Sequence, residues 1–177
     1  MFGHDPRFTG ALWLTVKYAA LGVPVTQAAA ILAAVLMNEN VPGTRFFRAA
    51  WYLPSVLAGA GMAVMWLWVF NGQHGMLNAA LRPLVGWISP SLPPDWIGAD
   101  AEWAGVPAFV IASLWSIGGA MLIYLAGLQG IPATLYEAAA IDGAGPVRRF
   151  FRVTLPMLSP VILFNVVIAI ISSFQVF

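Results

Sequence analysis

Side chains able to do chemistry are few and scattered along this sequence. Cysteine is absent from the 177 residues, which removes disulfides, thiolate metal sites and cysteine nucleophiles. His4 and His74 stand far apart without metal-ligand spacing, and no metal or cofactor is expected. No G-x4-G-K-[S/T] string occurs, so ATP hydrolysis has to reside in another chain if it is involved at all. Asp95, Asp100 and Glu102 fall in a Pro-rich stretch where solvated acids are expected and calcium binding is the weaker alternative. Lys17 is the one charge inside a long apolar run. An intramembrane charge is a functional candidate, but a Lys within two turns of the run's start is expected to snorkel to the interface.

One segment does concentrate polar chemistry. Residues 129–160 read QGIPATLYEAAAIDGAGPVRRFFRVTLPMLSP, with Glu137, Asp142, Arg148, Arg149 and Arg152 around two glycines. Pro132 suits a helix start, Thr134 is a candidate cap, and Leu135–Ile141 is rich in strong helix formers. Gly143 and Gly145 allow the bent or left-handed backbone that ends such a helix. Pro146 then opens a second short helix through Val153, and Pro156 marks the turn into the next apolar run. The small side chains of Ala138-Ala139-Ala140 would let another protein approach closely. Tyr136, Phe150 and Phe151 offer apolar anchors, and the arginines an electropositive rim. An interfacial helix whose arginines meet lipid headgroups explains the same residues equally well.

The elements that must position this segment are apolar throughout. Hydrophobic residues make up 60% of the chain and charged ones 8%, with a mean hydropathy of +0.83. Soluble domains carry roughly 25% charge, so this composition lacks the polar surface to stay in water. No nucleic-acid partner is expected. A helix crossing the hydrocarbon core needs about 20 apolar residues, and four segments meet that length: about 11–37, 51–70, 103–127 and 157–177. Apolar residues lie all round them, which argues against surface helices. The fold class expected is therefore all-α, a polytopic bundle of four spans in one domain over 1–177. A cleavable leader is the competing reading of the first run, since Arg7 precedes it and Ala28-Ala29-Ala30 resembles a cleavage site. Lys17 and the continued apolarity to Met37 oppose it.

Loop charge orients the bundle. Arg45 and Arg48 lie in the 38–50 loop, and three arginines lie in the 129–155 loop; the 71–102 loop has Arg82 alone with three acids. The positive-inside rule puts the first two loops in the cytoplasm and the third outside, where Met76–Trp87 is expected to form a short helix interrupted by Pro83. Both chain ends then lie outside, which suggests a piece of a longer protein, missing a span at the front and something at the back. Asn165, Ser172, Ser173 and Gln175 are polar groups in the last span, with Phe174 beside them. They suit a solute pathway, and ordinary interhelical hydrogen bonding suits them too.

Glu137-Ala138-Ala139, three residues, Gly143, nine residues and Val153-Thr154-Leu155-Pro156 resemble the EAA loop of binding-protein-dependent ABC importer permeases, EAA-x3-G-x9-I-x-LP, with Val153 where Ile is usual. FFRAAWYLPS (46–55), WLWVFNGQHGMLN (66–78), LAGLQGIPATLYEAA (125–139) and SSFQVF (172–177) are similar to the first permease of sugar and glycerol-3-phosphate importers. That family's subunit has six spans, so the chain would correspond to the second through most of the fifth. The resemblance implies a bacterial or archaeal cytoplasmic membrane location. It implies a second permease subunit, a dimer of cytoplasmic ABC ATPases and an extracytoplasmic solute-binding protein as partners, and a sugar-like solute. Glu137, Ala138, Ala139 and Gly143 would carry coupling to the ATPase, with Asp142 and Arg149 as further polar contacts. Asn165, Ser173, Phe174 and Gln175 remain candidates for the pathway.

Overall fold

Helix α1 runs from Pro6 to Asn38, 33 residues through Pro24 without a break, and the rest of the bundle is laid against it. The computed structural model describes residues 6–39, 43–56, 60–85, 96–97 and 104–175, and no strand occurs among them. After α1 come α2 (Thr44–Val56), α3 (Ala60–Val69), α4 (Met76–Val85), α5 (Gly105–Leu114), α6 (Gly118–Gln129), α7 (Ala133–Ile141), α8 (Pro146–Arg149) and α9 (Leu155–Ser173). Helices α5, α6 and α9 pack on α1, α2 packs on α6, and α6 on α9.

Small residues on α1 make the central contact possible. Ala30, Ala33 and Ala34 are buried against Met121, Tyr124 and Leu125 of α6 and Leu158 of α9. Alanines let backbones approach where lipid tails offer no hydrophobic gain from association, so dispersion and close fit must hold the helices. Gly118 takes this furthest, because a Cβ there would lie 2.1 Å from the Trp51 carbonyl oxygen of α2. Arg48 Nη2 donates to the Met37 carbonyl at 2.5 Å, satisfying an open acceptor at the end of α1. A second cluster joins Phe70, Trp96, Ala104 and Ala108. There Trp66 stacks on Phe70 at 5.0 Å, and Trp96 Nε1 donates to Asn78 Oδ1 at 2.6 Å.

The spans differ in form from the continuous helices expected. Among the described residues two helices, Phe8–Asn38 and Pro146–Ser173, are long and apolar enough to cross a membrane, and the total reaches four if each of two bent pairs is one span. The run 51–70 holds the end of α2 and α3, with residues 57–59 between them outside the described residues. The run 103–127 is α5 and α6, bent by 53° at Trp115–Ile117. At that bend Trp115 and Ser116 donate to the carbonyls three residues back, Ala112 and Ser113, tightening the turn. Pro156 makes no turn. Helix α8 runs through a π-helical turn, Phe150–Thr154, into α9 as one 28-residue helix. The Leu155 N–H reaches back five residues to Phe150, and the wider turn gives room to a ring that would crowd the carbonyl four residues earlier.

The exterior is apolar. Trp13, Leu21, Leu32 and Leu36 on α1 and Leu163, Phe164 and Ile171 on α9 are exposed, a surface that lipid accommodates and water does not. Lys17 Nζ lies 5.4 Å from the Trp13 ring, one turn nearer the helix start, the direction expected of a snorkelling side chain. Helix α4 contains Pro83 in its last turn without breaking before it; Trp87 and the acids Asp95, Asp100 and Glu102, like His4, fall outside the described residues.

Candidate functional site

The segment 129–156 forms a helix, a tight reversal and a second helix. Pro132 takes the N-cap position of α7 with extended backbone, and no side chain caps the helix, so Thr134 is an ordinary first-turn residue. The end of α7 follows from Gly143, whose φ is +72°. Its N–H donates to the Ala140 carbonyl at 3.0 Å and the Ala144 N–H to Ala139 at 2.9 Å. That pair of bonds is a Schellman closure, with glycine at the left-handed position where a Cβ is unfavourable. Gly145 is not left-handed; with φ −66° and ψ 169° it is the extended N-cap of α8, ahead of Pro146.

This geometry sorts the segment's side chains. Glu137, Ala138 and Asp142 are exposed, Ala139 is half-buried, and neither carboxylate has an ion-pair partner among the described residues. Tyr136 turns inward: its hydroxyl lies 3.1 Å from Thr154 Oγ1, tying α7 to the base of α9. Phe150 packs against the α1–α6 core. Arg149 is half-buried, its Nε sealed and without a hydrogen-bond partner, beside a crevice of about 350 Å³ that Glu39, Tyr136 and Thr154 also line. Of the three aromatics expected as anchors, only Phe151 points out. The outward apolar residues that sequence reasoning missed are Ile141, 88% exposed, and Val147, 70% exposed. Their signal is their place, one on each side of the Gly143 reversal, which only the turn brings together.

A second feature is a cavity of about 340 Å³ between α1, the α5–α6 bend and α9. Asn165 and Ser173 line it, as does Ser172; Phe174 and Gln175 do not, being exposed at the end of α9. Tyr18, Thr26, Gln27, Ser113 and Ser116 complete its polar lining, and no charged side chain reaches it among the described residues. The Tyr18 hydroxyl bonds Ser113 Oγ at 2.6 Å, and this pair separates the cavity from a larger one, about 450 Å³, walled by Trp66, Phe70 and Phe109. Sequence alone offers no reason to group Tyr18 or Ser113 with Asn165, since they lie on three different helices. No cluster of His, Cys, Asp or Glu fit to hold a metal exists among the described residues.

Known proteins share this architecture. A chain of a bacterial ABC transporter involved in import of the acidic polysaccharide alginate superposes with a TM-score of 0.79, at 24% identity, over 98% of this chain and 59% of that one. A related structure, in complex with an alginate pentasaccharide-bound periplasmic protein, gives 0.76 over 95% and 57%. Both likenesses concern the fold. In sequence, the probable ABC transporter permease protein YesP of Bacillus subtilis is 37% identical over 185 residues, covering 100% of this chain and 55% of YesP. The sn-glycerol-3-phosphate transport system permease protein UgpA of Salmonella typhimurium is 37% identical over 172 residues, 97% of this chain and 56% of UgpA. The chain thus spans little more than half the length of these relatives. The family model of the binding-protein-dependent transport system inner membrane component matches residues 17–177, and by that match over nearly its whole length the chain belongs to this family.

Proposed function

We propose that this chain forms part of the membrane-spanning permease of an ABC importer and catalyses no chemistry itself. The observation that carries the reading is the EAA-type segment folded as α7, the Gly143 reversal and α8, with Glu137, Ile141 and Val147 turned outward. An exposed helix flanked by apolar side chains and an unpaired carboxylate is suited to a groove on another protein. The partner is a dimer of cytoplasmic ATPase subunits, and α7 is the coupling helix. Glu137 contacts the ATPase, Ala138 and Ala139 allow close approach, Gly143 holds the reversal, and Asp142 and Arg149 add polar contacts.

Closure of the ATPase dimer would be transmitted through the Tyr136–Thr154 bond and the continuous α8–α9 helix to the polar cavity. A second permease subunit completes the pathway, and an extracytoplasmic binding protein delivers the solute. The arginine-bearing loops face the cytoplasm of a bacterial or archaeal cell, and residues 71–102 face outward. The solute is a sugar or a related compound, a reading supported by the hydroxyl- and amide-lined cavity. Similarity to UgpA favours glycerol 3-phosphate as a second reading.

The test uses the full-length subunit reconstituted with its ATPase and binding protein, carrying Glu137→Ala or Gly143→Val. Loss of binding-protein-stimulated ATP hydrolysis and of uptake together is expected. Wild-type levels of both would remove the coupling assignment.

A further inference from the structure

The polar cavity between α1, α5–α6 and α9 has an uneven supply of hydrogen-bond donors. Four of its hydroxyl protons are turned back into the helices that carry them. Thr26 Oγ1 donates to the Gly22 carbonyl at 2.8 Å, Ser113 Oγ to Phe109 at 2.7 Å, Ser116 Oγ to Ser113 at 3.1 Å and Ser173 Oγ to Ile170 at 2.7 Å. Because Ser113 has spent its proton on Phe109, the Tyr18 hydroxyl donates to Ser113 Oγ, and that proton too is consumed. Asn165 Nδ2 donates one of its two protons to the Val161 carbonyl at 3.1 Å, and the Ser172 hydroxyl makes no hydrogen bond among the described residues. What these groups leave toward the cavity is mainly oxygen lone pairs.

Gln27 differs from these groups in that a bond behind its amide orients both of its donors. Its Oε1 accepts from the buried Tyr124 hydroxyl at 2.5 Å. The Tyr124 proton has no other acceptor among the described residues, so the carbonyl end of the amide must face the tyrosine and the NH2 end must face away. Nε2 has no partner among the described residues, yet it is not sealed like the Arg48 and Arg149 Nε atoms, and Gln27 lines the cavity. Two N–H donors are therefore held toward the cavity by a bond made behind them.

We infer that Gln27 is a specificity-determining residue that donates to an acceptor oxygen of the solute, with Tyr124 as its positioning residue, and that the cavity selects neutral hydroxyl-bearing solutes over phosphorylated ones. The inference rests on the reading of this cavity as the solute pathway. A sugar hydroxyl can donate to the lone pairs of Thr26, Ser113, Ser116 or Ser173 and accept from Gln27. A phosphate is acceptor-only when ionised; it would meet mostly lone pairs and, among the described residues, find no cation to offset its desolvation.

The experiment uses the full-length subunit in the complete transporter in liposomes, with Ser172→Cys on the cavity wall as a reporter. Labelling of the introduced thiol is measured against glucose, maltose, glycerol and sn-glycerol 3-phosphate, and uptake of each is followed in parallel. Neutral members should slow labelling, and glycerol 3-phosphate should not. Gln27→Leu should raise the protecting concentration about tenfold, the loss expected of one neutral hydrogen bond with an exposed partner left behind. Tyr124→Phe should raise it less. Singly deoxygenated analogues of the protecting sugar give a readout that a merely structural role would not move. One analogue should protect the wild-type protein more weakly than the parent sugar, and that difference should vanish in Gln27→Leu. Equal or better protection by glycerol 3-phosphate, uptake of no neutral member, an unchanged protecting concentration in Gln27→Leu, or equal loss against every analogue overturns the inference while leaving the pathway reading standing. Uptake of a panel member that never protects the thiol removes the pathway reading itself, and this inference with it.

Discussion

Gly118 of α6 lies against the Trp51 carbonyl of α2 so closely that a methyl group at Gly118 would sit 2.1 Å from that oxygen. The contact is backbone to backbone, so no flexible side chain can move aside. It fixes α2, which carries Arg45 and Arg48 of the expected 38–50 loop, to the helix that leads into the EAA-type segment.

Gly118→Ala is accordingly expected to lower the yield and Tm of the assembled transporter. Gly119→Ala, whose added Cβ meets nothing within 4 Å, is expected to leave both unchanged. Thermal unfolding of the purified complex in detergent checks the pair. Equal behaviour of the two variants would contradict the α2–α6 contact.

The left-handed backbone at Gly143 predicts a different pattern, because an added Cβ there touches nothing. The cost of Gly143→Ala is conformational, about 1 kcal/mol, and Gly143→Asn should cost less because Asn tolerates that region. Gly143→Val should be the worst of the three. Binding-protein-stimulated ATP hydrolysis ranked Gly, Asn, Ala, Val in falling order would bear this out; a ranking by side-chain size alone would not.

Ile141 makes the docking surface testable without disturbing the fold. Being 88% exposed, it can be replaced by Asp at little cost to folding, since surface changes usually fall within about 0.5 kcal/mol. Ile141→Asp should abolish co-purification of the ATPase subunit while leaving the Tm of the permease unchanged. Retention of the ATPase at wild-type stoichiometry would place docking elsewhere.

Tyr136→Phe removes the bond to Thr154 and leaves the ring in place. The expected loss of stability is about 1 kcal/mol. If this bond transmits motion from α7 to α9, solute moved per ATP hydrolysed should fall further than ATP hydrolysis itself. An unchanged ratio in transport measurements would assign the bond a purely structural role.

Arg48→Ala should fray the end of α1, because Nη2 holds the Met37 carbonyl. Hydrogen exchange at residues 35–39 should speed up while exchange at Ala30–Ala34, in the alanine contact, stays slow.

The sequence by itself determined the class of this protein. Apolar runs of about 20 residues point to an all-helical bundle in an apolar solvent, because a helix pairs its backbone groups within its own segment. The spacing of Glu137, Gly143 and Leu155-Pro156 carries the resemblance to a permease as a purely local pattern, and Gly143 keeps its meaning in the fold because a left-handed turn is a local requirement. What sequence could not decide depends on contacts between distant segments. Pro156 reads as a turn and is helix, since the π-helical turn before it absorbs the ring. Tyr136 and Phe150 read as anchors for a partner and face inward, where Thr154 and the α1–α6 core receive them. The continuous run 103–127 bends at Trp115, and that bend helps form the polar cavity. Tyr18, Gln27, Ser113 and Asn165 meet there only because α1, α5–α6 and α9 pack together. Hydropathy records how apolar a helix is, and packing decides which of its few polar groups face the same space.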